Sequence, residues 1–189
     1  MAPGQPSKPD MQYVIRETKL AFSLAIQSIW ERQLRAYVLG CARELRPAED
    51  LQSKIERADW EKLQKFFISL RGIELRAFPS FDVLDILQNL GSAARHGDGG
   101  SAKKLIRQCP DLWAHLPEAL TNGIAPFDYR TVAMLDVPVD RLKGFAEAVA
   151  GFWEDAEYIY NESIEPKDAH LEARLAKERL QRKWIPQRP

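Results

Sequence analysis

The chain lacks a long hydrophobic run, a net charge and a cysteine motif, and each absence removes a class of protein. No stretch approaches the roughly 18 consecutive apolar residues of a membrane-spanning helix. Its 27 basic and 27 acidic side chains cancel, so no net field steers it onto nucleic acid or an anionic membrane. Cys41 and Cys109 lie far apart without CxxC or Cys/His spacing, which argues against a zinc site and a disulfide framework. We therefore expect a cytoplasmic protein with no membrane segment, no metal and no other cofactor.

The 189 residues suffice for one domain with a sizeable core. Residues 1–9 are polar and proline-rich without an apolar core segment, so we expect a disordered leader and not a secretion signal. A helical bundle domain should occupy residues 10–162. Residues 163–189 should form a charged C-terminal tail, because basic side chains there follow an acidic stretch. Two interpretations of this tail stay open, a projecting helix that contacts phosphates or a partner and a loosely packed, solvated end.

Helical periodicity runs through most of the chain, and no series of strands competes with it. The pattern predicts a mainly α protein, a single bundle of about five to six helices with a charged C-terminal helical tail. One long helix should cover residues 10–46, where apolar residues predicted to face inward recur at helical spacing: Ile15, Phe22, Ile26, Ile29, Tyr37, Cys41 and Leu45. Further helices should cover 48–70, 80–96, 101–108 and 140–161, with an extended piece at 131–135.

Three polar residues have the chemistry of helix N-caps. Asp59 should divide the 48–70 region into two helices, Ser80 should begin the helix that follows Pro79, and Ser101 should begin the helix that ends before Pro110. The core should include the aromatic residues Phe66, Phe67, Phe152 and Trp153. These features organise the fold without indicating an activity.

Polar residues fall in a single file along the helix predicted at 80–96. They are spaced three, four, three and four apart, which places them on one face of a helix: Asp82, Asp85, Asn89, Ser92 and His96. The rest of that helix is apolar, so it should be largely buried, with a polar seam that meets water, a partner or a ligand. His96 also stands where the helix would end, followed by Gly97, and a histidine favoured by the helix dipole next to a C-cap glycine explains both residues without chemistry.

The glycine-rich turn after His96 is a second candidate. Gly97-Asp98-Gly99-Gly100 precedes Ser101, Lys103 and Lys104, and backbone N–H groups with two lysines are the ligands that phosphate prefers. A surface loop that leads into a helix has the same composition, so both readings stay open. His115 and His170 have no partners at metal-ligand spacing.

The segment that runs from Phe78-Pro79 through LQNLGSAARHGDGGSA to Pro110-Asp111-Leu112-Trp113, together with the later Phe152-Trp153, resembles bacterial HEPN-like proteins. The resemblance implies a helical bundle, commonly a homodimer, in which the histidine helices of two chains face each other. Many HEPN proteins are metal-independent ribonucleases of toxin–antitoxin, phage-defence or RNA-processing systems. Transferred to this chain, the resemblance implies that His96, Asn89 and Ser92 are catalytic and that Arg95, Lys103 and Lys104 bind phosphate or RNA.

One element of the HEPN motif is absent. The family pattern has an arginine, then four to six residues of any kind, then the histidine, whereas this chain has Asn89, Leu90 and Gly91 at the permitted positions of the arginine. Arginine would stabilise the charge that develops on the phosphorane. Two hypotheses follow: a dimeric RNA-cleaving or RNA-binding effector, and a catalytically inactive module that dimerises or holds a partner protein. The missing arginine favours the second.

Overall fold

The regular structure of the described residues is helical. The computed structural model describes residues 8–116 and 130–185. The α-helices in these ranges are α1 (Lys8–Leu45), α2 (Gln52–Glu56), α3 (Trp60–Arg71), α4 (Phe81–His96), α5 (Gly100–Gln108), α6 (Val139–Ser163) and α7 (Ala169–Gln181). Short 3-10 helices lie at Leu75–Ala77, Pro110–Trp113 and Val132–Met134. The prediction of a mainly α bundle is confirmed, with seven helices in the described ranges where five to six were expected.

The chain forms two compact units. The first comprises the described residues of Met1–Glu31 and Asp85–Ala146, and the second those of Arg32–Leu84 and Glu147–Pro189. Helices α1, α4 and α6 contribute residues to both. Helix α1 begins at Lys8, inside the predicted leader, and residues 1–7 lie outside the described part of the chain. The predicted boundaries at residues 10 and 163 stay predictions.

An aromatic cluster forms the core of the second unit. The rings of Phe78 and Phe152 lie 4.7 Å apart between centroids, and Phe67 lies 5.9 Å from Phe78. Phe67 and Phe152 are buried, as predicted, whereas Phe66 and Trp153 are half-buried. Rings at these separations add attraction beyond the area that they bury.

The predicted division of the 48–70 region at Asp59 is confirmed. The Asp59 carboxylate accepts the backbone N–H of Lys62 at 2.9 Å and caps the N-terminus of α3. Where α2 ends, the guanidinium of Arg35 donates to the carbonyls of Ile55 and Ala58, and the Ile55 carbonyl also accepts the N–H of Ala58 at 3.2 Å. The two helices are thus separated by a break whose polar backbone groups are satisfied.

Ser80 does not act as the predicted cap. Its carbonyl accepts the N–H of Leu84 at 3.1 Å, so its backbone does occupy the N-cap position of α4. Its hydroxyl is buried and makes no hydrogen bond. Asp82 lies in the first turn, as predicted, where a carboxylate interacts favourably with the helix dipole.

Residues 169–181 of the C-terminal segment pack as helix α7, so the alternative of a loosely packed, solvated tail is wrong for this stretch. Asp168 caps α7 by accepting the N–H groups of His170 and Leu171. Leu175 is completely buried. The Glu162 carboxylate accepts hydrogen bonds from Nε and Nη2 of Arg179, at 2.6 and 2.8 Å. Composition alone does not distinguish a packed helix, held by one buried leucine and a bidentate ion pair, from a solvated run of charged residues.

Acidification should loosen α7 through Glu162. Its hydrogen bonds from Arg179 hold the pKa of this carboxyl below its ordinary value. A lowered folded-state pKa means that the stabilisation is complete above the pKa of free glutamate, about 4.3, and is lost as the pH falls through the lower folded value. We expect the protection factors of the α7 amides, which correct for the intrinsic effect of pH on exchange, to fall over that acidic range, and Glu162→Gln to lower them at neutral pH and flatten their pH dependence. An unchanged pH profile in the variant would contradict this role.

The predicted inward face of α1 is wrong along its first half. Ile15, Phe22 and Ile29 are 51, 61 and 44% exposed, and Leu45 near the helix end is also exposed. In that half the buried face instead carries Ser23, Gln27 and Trp30, whereas in the second half Cys41 is buried as predicted, and so are Leu34 and Val38. Ser23 and Gln27 on the buried face are polar, so the periodicity of apolar residues indicates the solvent-facing stripe of Ile15, Phe22 and Ile29 instead.

In the first unit, the short segments on either side of residues 117–129 contact each other. The indole N–H of Trp113 donates to the carbonyl of Thr131 at 2.8 Å, and the N–H of Asp136 donates to the carbonyl of Leu112 at 2.9 Å. Arg141 of α6 binds both carboxylate oxygens of Asp111 at 2.7 Å. Residues 132–134 form a 3-10 turn, so the extended piece predicted at 131–135 is wrong.

Candidate functional site

The polar file on α4 is turned toward α5, within the first unit. Asn89 is only 8% exposed, and Asp85 and Ser92 are half-buried. Asn89 Nδ2 donates to the carbonyl of Asp85 at 2.7 Å and to its Oδ2 at 3.1 Å. Lys104 of α5 approaches the same Oδ2, at 3.6 Å. The sequence did not specify whether this polar seam meets water, a partner or a ligand. At Asp85 and Asn89 its polar groups bond to each other and to Lys104 of the same chain.

Ser92 and Ser101 join the next turn of α4 to the start of α5. The hydroxyl of Ser101 donates to the hydroxyl of Ser92 at 3.0 Å. Ser101 is not the N-cap of α5, as was predicted, because Gly99 occupies that position in extended conformation. Ser101 is the second residue of α5, and its hydroxyl bonds to Ser92 of α4 and does not cap the N–H groups at the N-terminus of α5.

The glycine turn has a structural partner for its one acidic side chain. Asp98 accepts the backbone N–H of Val132 at 2.6 Å, which ties the turn to the segment after residue 129. Lys103 is exposed, and Lys104 is directed to Asp85. The two lysines proposed as phosphate ligands are thus differently engaged, one in an ion pair and one in solvent.

His96 lies exposed in the last turn of α4. Gly97 follows with φ of 78° and donates its N–H to the carbonyl of Ala93 at 2.7 Å. Helices commonly end at a residue in the left-handed conformation whose N–H bonds to one of the last helical carbonyls, and glycine adopts that conformation without strain. The interpretation of Gly97 as a C-cap glycine is confirmed, and it accounts for Gly97 without a ligand.

No family profile, curated protein or solved structure matches this chain. Arguments about function therefore depend on the side chains and their geometry.

A second polar cluster, which sequence reasoning missed, joins α4 to α1 in the same unit. Gln27 is fully buried, and its Nε2 donates to Gln88 Oε1 and to Glu31 Oε2, both at 2.6 Å. Its Oε1 accepts Arg95 Nη1 at 3.0 Å. Arg95 Nη2 also lies 4.0 Å from Glu31. We call these four residues, Gln27, Glu31, Gln88 and Arg95, the glutamine network.

The glutamine network engages the arginine nearest to His96. Arg95, predicted to bind phosphate, instead spans from α4 to Gln27 and Glu31. Two further arginines that could replace the missing motif arginine, Arg71 and Arg76, belong to the second unit, where their guanidinium carbons lie 5.8 Å from the ring centroids of Tyr37 and Phe81. Each of the three is thus held by an interaction within its own unit.

Gly91 provides the space that the network needs. A Cβ built on Gly91 would lie 2.8 Å from both Cγ and Cδ of Gln27, closer than real contacts allow. The sequence did hold a signal for this packing: Gln88, Gly91 and Arg95 are spaced three and four apart on α4, and Gln27 and Glu31 are four apart on α1. A glycine in the middle of a helix marks a close approach of this kind.

Other chemistry-bearing side chains in the described residues are not arranged as a reactive site. No group of three or more His, Cys, Asp or Glu side chains there is suited to hold a metal ion. Cys41 and Cys109 are unpaired and buried, and burial raises the pKa of both thiols, which disfavours the nucleophilic thiolate. Among the helices of residues 8–116 and 130–185, none is long and apolar enough to cross a membrane.

Proposed function

We propose that this protein is a HEPN-like helical interaction module without catalytic activity. The observation that carries the proposal is the engagement of the candidate catalytic side chains inside the first unit. Asn89 is bonded to Asp85, and Ser92 to Ser101. A substrate phosphate would have to displace both sets of bonds, each of which satisfies a partly buried polar group.

The arrangement around His96 supports the same reading. Metal-free cleavage of RNA needs a general base near neutral pH and a cation that stabilises the developing negative charge. Arg95, the neighbouring cation, is bonded to Gln27 and lies near Glu31, a carboxylate that offsets its charge. An exposed imidazole alone supplies one of the two required groups.

The geometry of α4 also bears on the composite site that the resemblance implies. A composite site would need the histidine helices of two copies to face each other across the residues before His96. Residues 87–91 are buried within the chain, and exposure returns at Arg95 and His96. This burial favours a module that meets its partner through another surface.

A ribonuclease assay tests the proposal. We expect total RNA to stay intact when incubated with excess purified protein in EDTA. His96→Ala should behave as the unaltered protein does, and so should His115→Ala, which alters a second exposed histidine of the first unit. Cleavage that His96→Ala abolishes and His115→Ala preserves would overturn the proposal.

That outcome would instead favour the second candidate, a metal-independent RNA-cleaving or RNA-binding effector of a bacterial defence or toxin–antitoxin system. Its specific support is the exposure of His96 at the start of the glycine turn, with the exposed cations Lys103 and Arg107 on the next helix. RNA retention by the protein without cleavage, lost when both cations are changed to Ala, would mark binding without chemistry.

A further inference from the structure

The first half of α1 presents a continuous exposed seam on the side opposite its buried face. Its members recur at intervals of four, three, four, three and four residues, and all are exposed: Met11, Ile15, Thr18, Phe22, Ala25 and Ile29. We call this set the α1 seam. Alternating three- and four-residue steps repeat every seven residues, which is the spacing at which two helices can stay in contact along their length.

The glutamine network fixes the rotation of α1 that exposes the seam. Gln27 is fully buried with three hydrogen bonds, and Ser23 one turn before it is also fully buried. Rotating α1 to hide Phe22 would bring both polar side chains out and break the hydrogen bonds that join Gln27 to Gln88 and Arg95 of α4. The exposed apolar seam is therefore a consequence of the polar packing on the other side.

One polar group on the seam and one beside it already have partners within the chain. Thr18, the polar member of the seam, donates its hydroxyl to the carbonyl of Val14 at 2.7 Å. Lys19, which flanks the seam, forms an ion pair with Asp136. Covering the seam thus leaves neither a free hydroxyl nor an unpaired lysine behind.

We propose that the α1 seam pairs with the same seam of a second copy, in antiparallel orientation. This inference deepens the proposed function and rests on it, since it names the partner of the interaction module. Antiparallel pairing about a twofold axis near residue 20 sets Met11 opposite Ile29. It sets Ile15 opposite Ala25, and Thr18 opposite Phe22.

The alternation of large and small residues decides the orientation. In the antiparallel arrangement Ile15 meets the smaller Ala25 and Phe22 meets the smaller Thr18, while Met11 and Ile29 at the ends are of similar size. In a parallel arrangement Phe22 would meet Phe22 and Ala25 would meet Ala25, which gives one crowded layer and one void. The sequence of the seam is self-complementary only when one copy is reversed.

The exposed area is what a weak, specific dimer needs. Four large apolar side chains of the seam, about half exposed, together with Val14 beside it contribute on the order of 500 Å² per copy: Met11, Ile15, Phe22 and Ile29. Two copies would bury on the order of 1,000 Å², near the lower limit for specific interfaces. The seam spans about 27 Å of helix, so the contact is long and narrow. We expect a concentration-dependent dimer.

Sedimentation of the full chain between roughly 1 and 100 µM tests the pairing. We expect the weight-average mass to rise toward that of a dimer. Phe22→Glu places two carboxylates in the centre of the interface and should weaken the dimer at least about 100-fold. The matched control is Leu180→Glu, which adds the same charge at an 89% exposed leucine of α7 and should leave dimerisation unchanged. Circular dichroism checks that both variants keep their helices.

Cross-linking tests the orientation. Met11→Cys and Ile29→Cys should form a mixed disulfide when the two variants are combined, and neither should readily form one with itself. Cys41 and Cys109 are buried and do not compete. Homodisulfides of each variant would indicate parallel pairing and overturn the proposed arrangement.

The remaining outcomes separate the pairing from the function. A mass that stays monomeric at every concentration, or a dimer that Phe22→Glu leaves intact, would overturn the proposed pairing. Neither result touches the absence of RNA cleavage, so a module that holds a different protein would stand. RNA cleavage that depends on His96 would overturn the proposed function and leave the dimer measurement as it is.

Discussion

Gly91→Ala should destabilise the protein by about 1–3 kcal/mol, although the same change in most helices stabilises. The added Cβ would lie 2.8 Å from Cγ and Cδ of Gln27. Gln27 cannot easily withdraw, because it is fully buried and its amide makes three hydrogen bonds. Overpacking of a well-packed position costs more than the roughly 1 kcal/mol that alanine gains over glycine in a helix.

A second glycine supplies the matched control. Gly144 lies within α6 in the same unit, and a Cβ there would meet nothing within 4 Å. Gly144→Ala should therefore stabilise by up to about 1 kcal/mol. Urea unfolding of both variants measures the contrast as shifts of the midpoint in opposite directions. Two midpoints that both rise would contradict the proposed clash.

A double-mutant cycle assigns the clash to its partner. In a Gln27→Ala background, the obstructing side chain is gone and Gly91→Ala should become neutral or stabilising. Gln27→Ala itself should destabilise, because it leaves Gln88 and Arg95 without their shared partner. If Gly91→Ala cost the same in both backgrounds, some other neighbour would be responsible.

Helix positions followed from local signals, whereas the direction that each helix faces did not. Proline positions, caps and periodicity predicted α1, α5 and α6 to within a few residues of their observed ends. Periodicity selects a stripe, however, and α1 has two. One contains Ile15, Phe22 and Ile29 and faces solvent, while the other contains Ser23 and Gln27 and is buried. Hydropathy ranks the first stripe higher, so the error was inherent in the signal.

The candidate site shows the same limit in polar residues. Spacing placed Asp85, Asn89 and Ser92 on one face of α4, and their shared contacts with each other and with α5 agree with that placement. What the face meets depends on the neighbouring helix, which spacing along one helix does not specify. Gln88 has no role in the predicted site, yet it is buried and accepts a hydrogen bond from the fully buried Gln27.

Leu175→Ala should release α7, with amide exchange in that helix accelerated about 30-fold or more. Leu175 is completely buried, and removal of a buried leucine side chain costs about 2–5 kcal/mol. Alanine favours helix formation at least as well as leucine, so the loss would not come from a weaker helix. Leu180→Ala is the matched control, because that leucine of the same helix is 89% exposed.

The comparison of the two leucines distinguishes packing from charge as the main support of α7. Glu162 and Arg179 remain in place in both variants, so an ion pair that dominates the attachment would keep exchange slow in each. Partly exposed ion pairs contribute little, typically below about 1 kcal/mol, whereas a fully buried leucine contributes several times more. We therefore expect Leu175→Ala to accelerate exchange far more than Glu162→Gln does at neutral pH. The reverse order would mean that α7 is attached chiefly by its charges, which would return it to the role of a charged tail.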